Sequence, residues 1–167
     1  MIYQYIQSLA AAGKKMLAVL IDPGKTSIQH VKDTVLQAKN AGVDFILVGG
    51  SLMLNQEMDD TIQAIKQETD LPVLIFPGST IQISSKADAI LFLSLISGRN
   101  PDLLIGRHVE SAMLIKQIQL EAIPTAYILI DGKQFTSVQY ISQTLPLPSD
   151  KPDIAIATAV AGEMLGM

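Results

Sequence analysis

The chain has 167 residues, of which 49% are hydrophobic and 17% charged, with a net charge of −4 and a pI near 5.0. This length suits one domain over residues 1–167, and the acidic balance argues against a nucleic-acid surface. Since the sequence has no cysteine, no apolar run long enough to span a membrane and no basic N-terminal region, we expect a cytoplasmic protein without disulfides, thiolate metal sites, a transmembrane segment or a secretory signal.

Short apolar runs alternate with polar, helix-like segments in the first half of the chain. Such a pattern is typical of buried parallel strands joined by helices. Gly13 is expected to end the first helix, Thr26 or Ser27 to cap the second, and Asn55 to cap the third. The predicted elements are, in order, helix Ile2–Ala12, strand Met16–Ile21, helix Ile28–Ala41 with an apolar stripe of Val31, Val35, Leu36 and Ala38, strand Phe45–Val48, helix Asn55–Thr69 and strand Val73–Phe76.

The second half continues the alternation with two irregular connections. Residues 77–88 are too short and too rich in serine and β-branched residues for a packed helix, so a loop or short strand is expected there. The stretch 131–151 is long for a loop, which is typical of either a lid or a surface excursion. The predicted elements are strand Ala89–Leu95, helix Val109–Glu121, strand Thr125–Ile130, and a last helix capped by Ser149 or Asp150 with Pro152 in its first turn.

Oxygen-bearing side chains follow the first two strands. Asp22 ends the first strand, and Ser51 follows Gly49 and Gly50 at the end of the second. Because parallel strands place their carboxyl ends on one face, these side chains are expected to lie close together. A carboxylate and a hydroxyl suit Mg²⁺, which carries phosphate with it. The strand order predicts a parallel α/β sheet and leaves an open sheet and a barrel both possible, while the absence of a Gly-x-Gly-x-x-Gly or Walker motif disfavours nucleotide folds.

Four sequence blocks, taken together, resemble the geranylgeranylglyceryl phosphate synthases and their bacterial heptaprenylglyceryl relatives. The resemblance runs from about Lys15 to the end of the chain. The blocks are Ile21-Asp22-Pro23, residues 42–51 (GVDFILVGGS), residues 71–78 (LPVLIFPG), and residues 94–101 (SLISGRNP) followed by 104–106 (LIG).

The resemblance implies a TIM-type (β/α) barrel, here incomplete with strands one to five of eight, whose third helix is replaced by the 77–88 connection. It also implies a prenyltransferase that moves a polyprenyl group from prenyl diphosphate to sn-glycerol 1-phosphate with Mg²⁺ as cofactor. Asp22 and Ser51 match the family's metal ligands. A homo-oligomer and transient contact with a membrane to collect the lipid substrate are further expectations from the family.

The chain also departs from the family pattern. The family's Tyr-x-Glu-x-Gly-Ser-Gly block, with its base-like glutamate, falls beyond Met167, so no catalytic residue is assigned and the chain as given is expected to lack synthase activity. Some relatives carry a lysine where this chain has Leu20, which removes a phosphate contact.

Further candidates surround the strand ends. Gly49 and Gly50 allow either close packing or close backbone approach to a diphosphate. Lys25 fits either a solvated loop or a contact with a diphosphate, and Asp131 fits either a turn or a site residue. Arg99, Asn100 and His108 follow strand four and are expected either at the diphosphate or on plain surface.

Two alternative functions stay open beside the prenyltransferase. One is another TIM-barrel enzyme that acts on a small phosphorylated metabolite, such as a histidine- or tryptophan-pathway isomerase. The other is an inactive half-barrel fragment. Binding of a long-chain isoprenoid distinguishes the prenyltransferase from the first of these alternatives.

Overall fold

A computed structural model describes residues 1–52 and 57–167, so the predicted cap Asn55 lies outside the described residues. Strands and helices alternate along the described chain as the sequence predicts. The strands are β1 (Ala18–Ile21), β2 (Phe45–Val48), β3 (Val73–Ile75), β4 (Ala89–Leu95) and β5 (Glu121–Tyr127). The helices are α1 (Ile2–Ala11), α2 (Ile28–Asn40), α3 (Met58–Glu68), α4 (Arg107–Gln117), α5 (Ser137–Ser142) and α6 (Pro152–Met164).

The described strands form one parallel sheet in the order β1-β2-β3-β4-β5. Leu20 pairs with Leu47, and Leu47 with Leu74, so the first three strands share one register. Crossover connections force neighbouring strands to run the same way. The prediction of consecutive parallel strands is therefore confirmed, and all carboxyl ends lie along one edge.

Each face of the sheet has its own hydrophobic core. On one face, strand residues such as Ile46 and Ile75 pack against α2 and α3 and form the first core. The second contains Phe45, Leu74 and Ile123, which α1 covers. Side chains alternate along a strand, so Asp22 points to the same face of the sheet as Leu20. This is the face that α1 covers, although α1 lies at the amino ends of the strands and Asp22 at a carboxyl end.

Two predicted elements in the second half have the wrong bounds. Strand β5 spans Glu121–Tyr127 instead of Thr125–Ile130, and α4 spans Arg107–Gln117 instead of Val109–Glu121. Pro124 lies inside β5, which ends the strand order of the described sheet, where a proline can sit without costing a ladder bond. A π-helical turn, Asp102–Gly106, also leads into α4 ahead of the predicted start.

Other details correct the prediction on a smaller scale. Leu36 is 43% exposed and is not part of the buried stripe of α2. Helix α6 begins after Lys151, so neither Ser149 nor Asp150 is its cap, although Pro152 does occupy its first turn.

The two irregular connections differ in outcome. Residues 77–88, all of them described, hold one 3-10 turn at Thr80–Gln82 and no α-helix, which confirms that prediction. The 131–151 connection contains the short helix α5 and a bridge between Ile130 and Leu147. Within residues 1–52 and 57–167, no helix has the length and apolarity that crossing a membrane requires.

Helix α1 is anchored by the carboxylate of Glu121, which accepts hydrogen bonds from the backbone N–H groups of Ile2 (2.6 Å) and Tyr3 (2.9 Å). We predict that Glu121→Ala lowers the free energy of unfolding by about 1 kcal/mol, since it removes a cap and a favourable charge at a helix N-terminus. Urea unfolding measures this loss. Glu110→Ala is the matched control: Glu110 contacts Arg107 on the exposed surface, and its loss should change stability by less than about 0.5 kcal/mol.

Candidate functional site

The carboxylate of Asp22 stands at the carboxyl end of β1, with 18% of its side chain exposed. Its Oδ1 accepts a hydrogen bond from the backbone N–H of Gly24 at 3.2 Å, and its Oδ2 lies 2.9 Å from Nζ of Lys25. Since Lys25 is 74% exposed, this ion pair contributes about 0–1 kcal/mol and is readily exchanged for another cation.

Three glycines pack the neighbouring strand ends against this carboxylate. A Cβ at Gly50 would lie 2.5 Å from Oδ1 of Asp22, a Cβ at Gly49 would lie 1.9 Å from the carbonyl oxygen of Phe76, and a Cβ at Gly78 would lie 2.1 Å from the carbonyl oxygen of Gly50. Real Cβ contacts are never this short. A side chain at Gly49 or Gly78 would collide with backbone, whereas one at Gly50 would have to displace the carboxylate of Asp22. The backbone of Gly50 lies between Asp22 and Gly78.

The backbone N–H groups of the glycine pair have partners inside the protein. Gly49 donates to the carbonyl oxygen of Ile21 at 3.1 Å, and Gly50 donates to Oε1 of Gln82 at 3.4 Å. The structure thus gives both glycines a packing role. Their predicted approach to a diphosphate stays a prediction.

Sequence reasoning missed Gln82, which belongs to the 3-10 turn of the 77–88 connection and is fully buried. Its Nε2 donates to the carbonyl oxygen of Gly50 at 2.8 Å, and its Oε1 accepts from the N–H of Gly78 at 2.9 Å. A glutamine between two isoleucines in a polar connection carries no sequence signal for this role.

The residues at this strand end are suited to one particular kind of metal site. Among the residues that the structure describes, no group of three or more histidine or carboxylate side chains could hold a metal. Mg²⁺ is nevertheless commonly bound by one or two carboxylates plus waters and substrate phosphates. The accessible carboxylate of Asp22, beside the turn that carries Ser51, fits that mode.

Arg99 and Asn100 lie together in a second place, a cleft of about 470 Å³ between the β4–α4 loop and the segment after α5. The Arg99 guanidinium donates to the carbonyl oxygens of Gly98 (2.7 Å) and Ile96 (3.3 Å). The Asn100 amide donates to the carbonyl oxygen of Ser142 at 2.9 Å. Asn100 therefore joins this loop to the end of α5, whereas Arg99, among the described residues, bonds only within its own loop. Contact of either side chain with a diphosphate remains a prediction.

His108 is buried on the face of the sheet that α2 and α3 cover, and Asp22 points to the opposite face. Its Nε2 lies 3.1 Å from Oγ of Ser94, and its ring meets Phe92 edge-to-face at 4.4 Å. Its Nδ1 is buried without a hydrogen-bond partner among the described residues. This position favours packing, and contact of His108 with a diphosphate stays a prediction. Asp131 accepts a hydrogen bond from the N–H of Lys133, as expected of a turn residue.

Burial lowers the pKa of His108 below its ordinary value of 6.5. The unfolded chain therefore takes up a proton near pH 6.5 while the folded chain does not, so stability is lost as the pH falls from 6.5 toward the lower native pKa. We predict a loss of up to about 1.4 kcal/mol per pH unit in that window, absent in His108→Gln. Urea unfolding of both chains between pH 7.5 and 5.5 tests this. If the free energy of unfolding changed with pH equally in both chains, the prediction for His108 would be wrong.

An apolar surface lies beside Asp22 on the same face. Leu20 is 52% exposed, and the rings of Phe76 and Tyr127 meet edge-to-face with centroids 5.7 Å apart. Burial raises the pKa of Tyr127, which keeps its hydroxyl neutral. The face therefore combines one accessible carboxylate with apolar and aromatic side chains.

Comparison with known proteins gives a consistent result. The model of the PcrB family matches residues 12–167. A geranylgeranylglyceryl phosphate synthase of Chitinophaga pinensis is 52% identical over 166 residues, which are 99% of this chain and 66% of that protein. A geranylgeranylglyceryl phosphate synthase of Korarchaeum cryptofilum is 38% identical over 161 residues, which are 96% of this chain and 66% of that protein. The chain thus spans about two thirds of the length of these curated relatives.

Solved structures agree with the sequence matches. The (S)-3-O-geranylgeranylglyceryl phosphate synthase of Thermoplasma acidophilum, solved with sn-glycerol-1-phosphate, has a TM-score of 0.88 and 36% identity, with 96% of this chain and 65% of that chain covered. The wild-type protein of Thermoplasma volcanium has a TM-score of 0.85 and 32% identity, with 92% and 61% covered. The fold is therefore of the TIM-barrel type, and its described strands correspond to part of a barrel.

Proposed function

The chain belongs to the PcrB family, and from that membership we propose that it is a prenyltransferase of ether-lipid synthesis, similar to geranylgeranylglyceryl phosphate synthase. The reaction transfers a polyprenyl group from its diphosphate to the C3 hydroxyl of sn-glycerol 1-phosphate. The bond between the prenyl carbon and the diphosphate oxygen breaks, a C–O ether bond forms, diphosphate leaves, and the hydroxyl proton passes to a base that we do not assign.

The observation that carries this proposal is the placement of the Asp22 carboxylate. It lies at the carboxyl end of β1, the edge at which barrels of this type bind substrates. It is accessible, and its exposed partner Lys25 is readily displaced. Glycines bring the second and third strand ends against it, as expected of a site that accepts a compact charged group.

We assign Asp22 and Ser51 as the residues that would hold Mg²⁺. Bound Mg²⁺ supplies charge neutralisation that eases departure of a diphosphate. Lys25 can leave Asp22 and pair with a diphosphate oxygen instead, because its present contact is exposed and weak. Arg99, Asn100, Gly49, Gly50 and His108 remain candidate substrate contacts; Arg99 is exposed at the cleft and is the first of them to test.

The prenyl tail requires an apolar surface next to the diphosphate. Leu20, Phe76 and Tyr127 offer one on the same face as Asp22. The short 77–88 connection packs Ile83 against the core on the opposite face, so its lack of an α-helix does not bear on this surface. Each methylene that is buried contributes roughly 0.8 kcal/mol. Homo-oligomer formation is a further part of the proposal, supported by the exposed apolar side chains of α4 and α6.

Calorimetric titration of the purified chain with geranylgeranyl diphosphate and inorganic pyrophosphate, each with Mg²⁺ or with EDTA, tests the proposal. We expect both ligands to bind only with Mg²⁺, and the prenyl compound to bind at least tenfold more tightly, since two buried methylenes already give about 1.6 kcal/mol. Equal affinity for the two ligands would contradict the tail site. Tighter binding of ribose 5-phosphate than of the prenyl compound would favour the alternative enzyme on small phosphorylated metabolites. Product formation with sn-glycerol 1-phosphate is measured on the same samples.

A further inference from the structure

The structure points to an unassigned positioning residue, and we propose that Gln82 holds the Gly50 turn and, through it, the carboxylate of Asp22 in place. This inference rests on the proposed function, because it concerns the residues assigned to Mg²⁺ and diphosphate. Gln82 does not touch Asp22 itself and is not a catalytic residue.

The side-chain amide of Gln82 joins two connections that meet at the strand ends. Its Nε2–H group donates to the carbonyl oxygen of Gly50 at 2.8 Å, while its Oε1 accepts from the N–H of Gly78 at 2.9 Å and from that of Gly50 at 3.4 Å. Both ends of the amide are therefore used, and the side chain is fully buried. A buried amide with all these bonds has little freedom to move.

The held backbone is the surface on which Asp22 rests. A Cβ at Gly50 would lie between 2.5 and 2.8 Å from three atoms of the Asp22 carboxyl group, so the carboxylate lies directly against this Cα. On its other side, a Cβ at Gly78 would lie 2.1 Å from the carbonyl oxygen of Gly50. A shift of the Gly50 backbone would thus change the space that the carboxylate occupies, and would move Ser51, the next residue.

Glutamine suits this place better than its isosteres. Methionine has a similar shape but neither donates nor accepts a strong hydrogen bond, so it would leave the Gly50 carbonyl and the Gly78 N–H without these partners. Ionised glutamate could accept from Gly78 but would repel the Gly50 carbonyl. Protonated glutamate can donate to one and accept from the other, and burial favours the protonated form. Gln82→Glu should therefore rescue part of what Gln82→Met loses, and more so at pH 6 than at pH 8.

The test uses the full chain and its Gln82→Met and Gln82→Glu variants. Glu121→Ala serves as a matched control that loses stability at the opposite end of the sheet. Amide hydrogen exchange by NMR reports on the turn itself. In Gln82→Met we expect exchange at Gly50 and Gly78 to speed up by at least tenfold beyond the change in globally protected amides, and in Glu121→Ala no such local excess.

Titration with MgCl₂ and inorganic pyrophosphate then reports on the site. We expect Gln82→Met to bind roughly tenfold or more weakly, as the loss of a supporting residue usually costs, Gln82→Glu to fall between, and Glu121→Ala to bind as the unchanged chain does. If Gln82→Met left exchange at Gly50 and Gly78 unaltered, or left pyrophosphate affinity unaltered, the positioning role of Gln82 would be overturned. The proposed function would not be affected by that outcome. Failure of the unchanged chain to bind pyrophosphate with Mg²⁺ would contradict the proposed function, and the exchange rates would then decide whether Gln82 holds the turn.

Discussion

Asp22→Asn is expected to abolish Mg²⁺-dependent binding of diphosphates while leaving the chain folded. Asparagine keeps the size of aspartate and can still accept the hydrogen bond from Gly24, but it removes the charge that attracts the cation. The loss should exceed the roughly 10–100-fold that removal of an outer-shell partner costs. Stability should change by about 1 kcal/mol or less, because the lost ion pair with Lys25 is exposed. Titration with pyrophosphate at fixed Mg²⁺ measures the affinity.

Asp33→Asn is the matched control for the change in charge. Asp33 is exposed on α2, where it accepts a hydrogen bond from Gln29. Since it lies away from the strand ends, its loss should leave the affinity unchanged. Equal affinity of the Asp22→Asn variant and the unchanged chain would show that the cation is held by other groups.

Gly50→Ala should have a second large effect on the site. The new Cβ would lie 2.5 Å from Oδ1 and 2.7 Å from Cγ of Asp22, which no real contact tolerates. The carboxylate is the end of a flexible side chain, so it should rotate away before the backbone does, at a cost in stability of about 1–3 kcal/mol. A displacement of this kind should weaken Mg²⁺-dependent pyrophosphate binding by about 100-fold.

Gly49→Ala distinguishes displacement of the carboxylate from a general loss of structure. Gly49 has φ 156°, and its new Cβ would lie 1.9 Å from the backbone oxygen of Phe76. Since a backbone atom cannot move aside as a side chain does, this variant should lose about 3 kcal/mol or more of stability. In urea unfolding, the free energy of unfolding of Gly49→Ala should therefore be well below that of Gly50→Ala. Normal pyrophosphate affinity in a folded Gly50→Ala variant would contradict the packing argument.

The sequence predicts those parts of the fold in which local pattern and tertiary packing agree. The bounds of β2 and β4 are the predicted ones, since both strands are apolar runs, interrupted only by Ser94 in β4, with a neighbour on each side in the described sheet. The prediction is wrong at β5, which includes Pro124, a residue that strands in the middle of a sheet exclude. Its tolerance depends on the strand's place at the end of the strand order, which local pattern does not reveal.

The site divides in the same way. Asp22 could be chosen from the sequence because it follows an apolar strand, and the structure places its carboxylate against Gly50, the neighbour of Ser51. Gln82 could not be chosen, since its role depends on two glycine turns that meet only in the folded chain. His108 looks like a site residue in the sequence, yet its position relative to the two faces of the sheet is set by the turn before α4.

A crystal structure of the chain with Mn²⁺ in place of Mg²⁺ and with geranylgeranyl diphosphate tests the central claim most directly, because anomalous scattering locates Mn²⁺ independently of any assigned ligand. We predict a metal peak in contact with the carboxylate of Asp22, the hydroxyl of Ser51 and the diphosphate oxygens, with the prenyl tail on the side of Phe76 and Tyr127. A diphosphate bound away from Asp22, or a metal peak held by other side chains, would contradict the proposal that this strand end is the metal and diphosphate site.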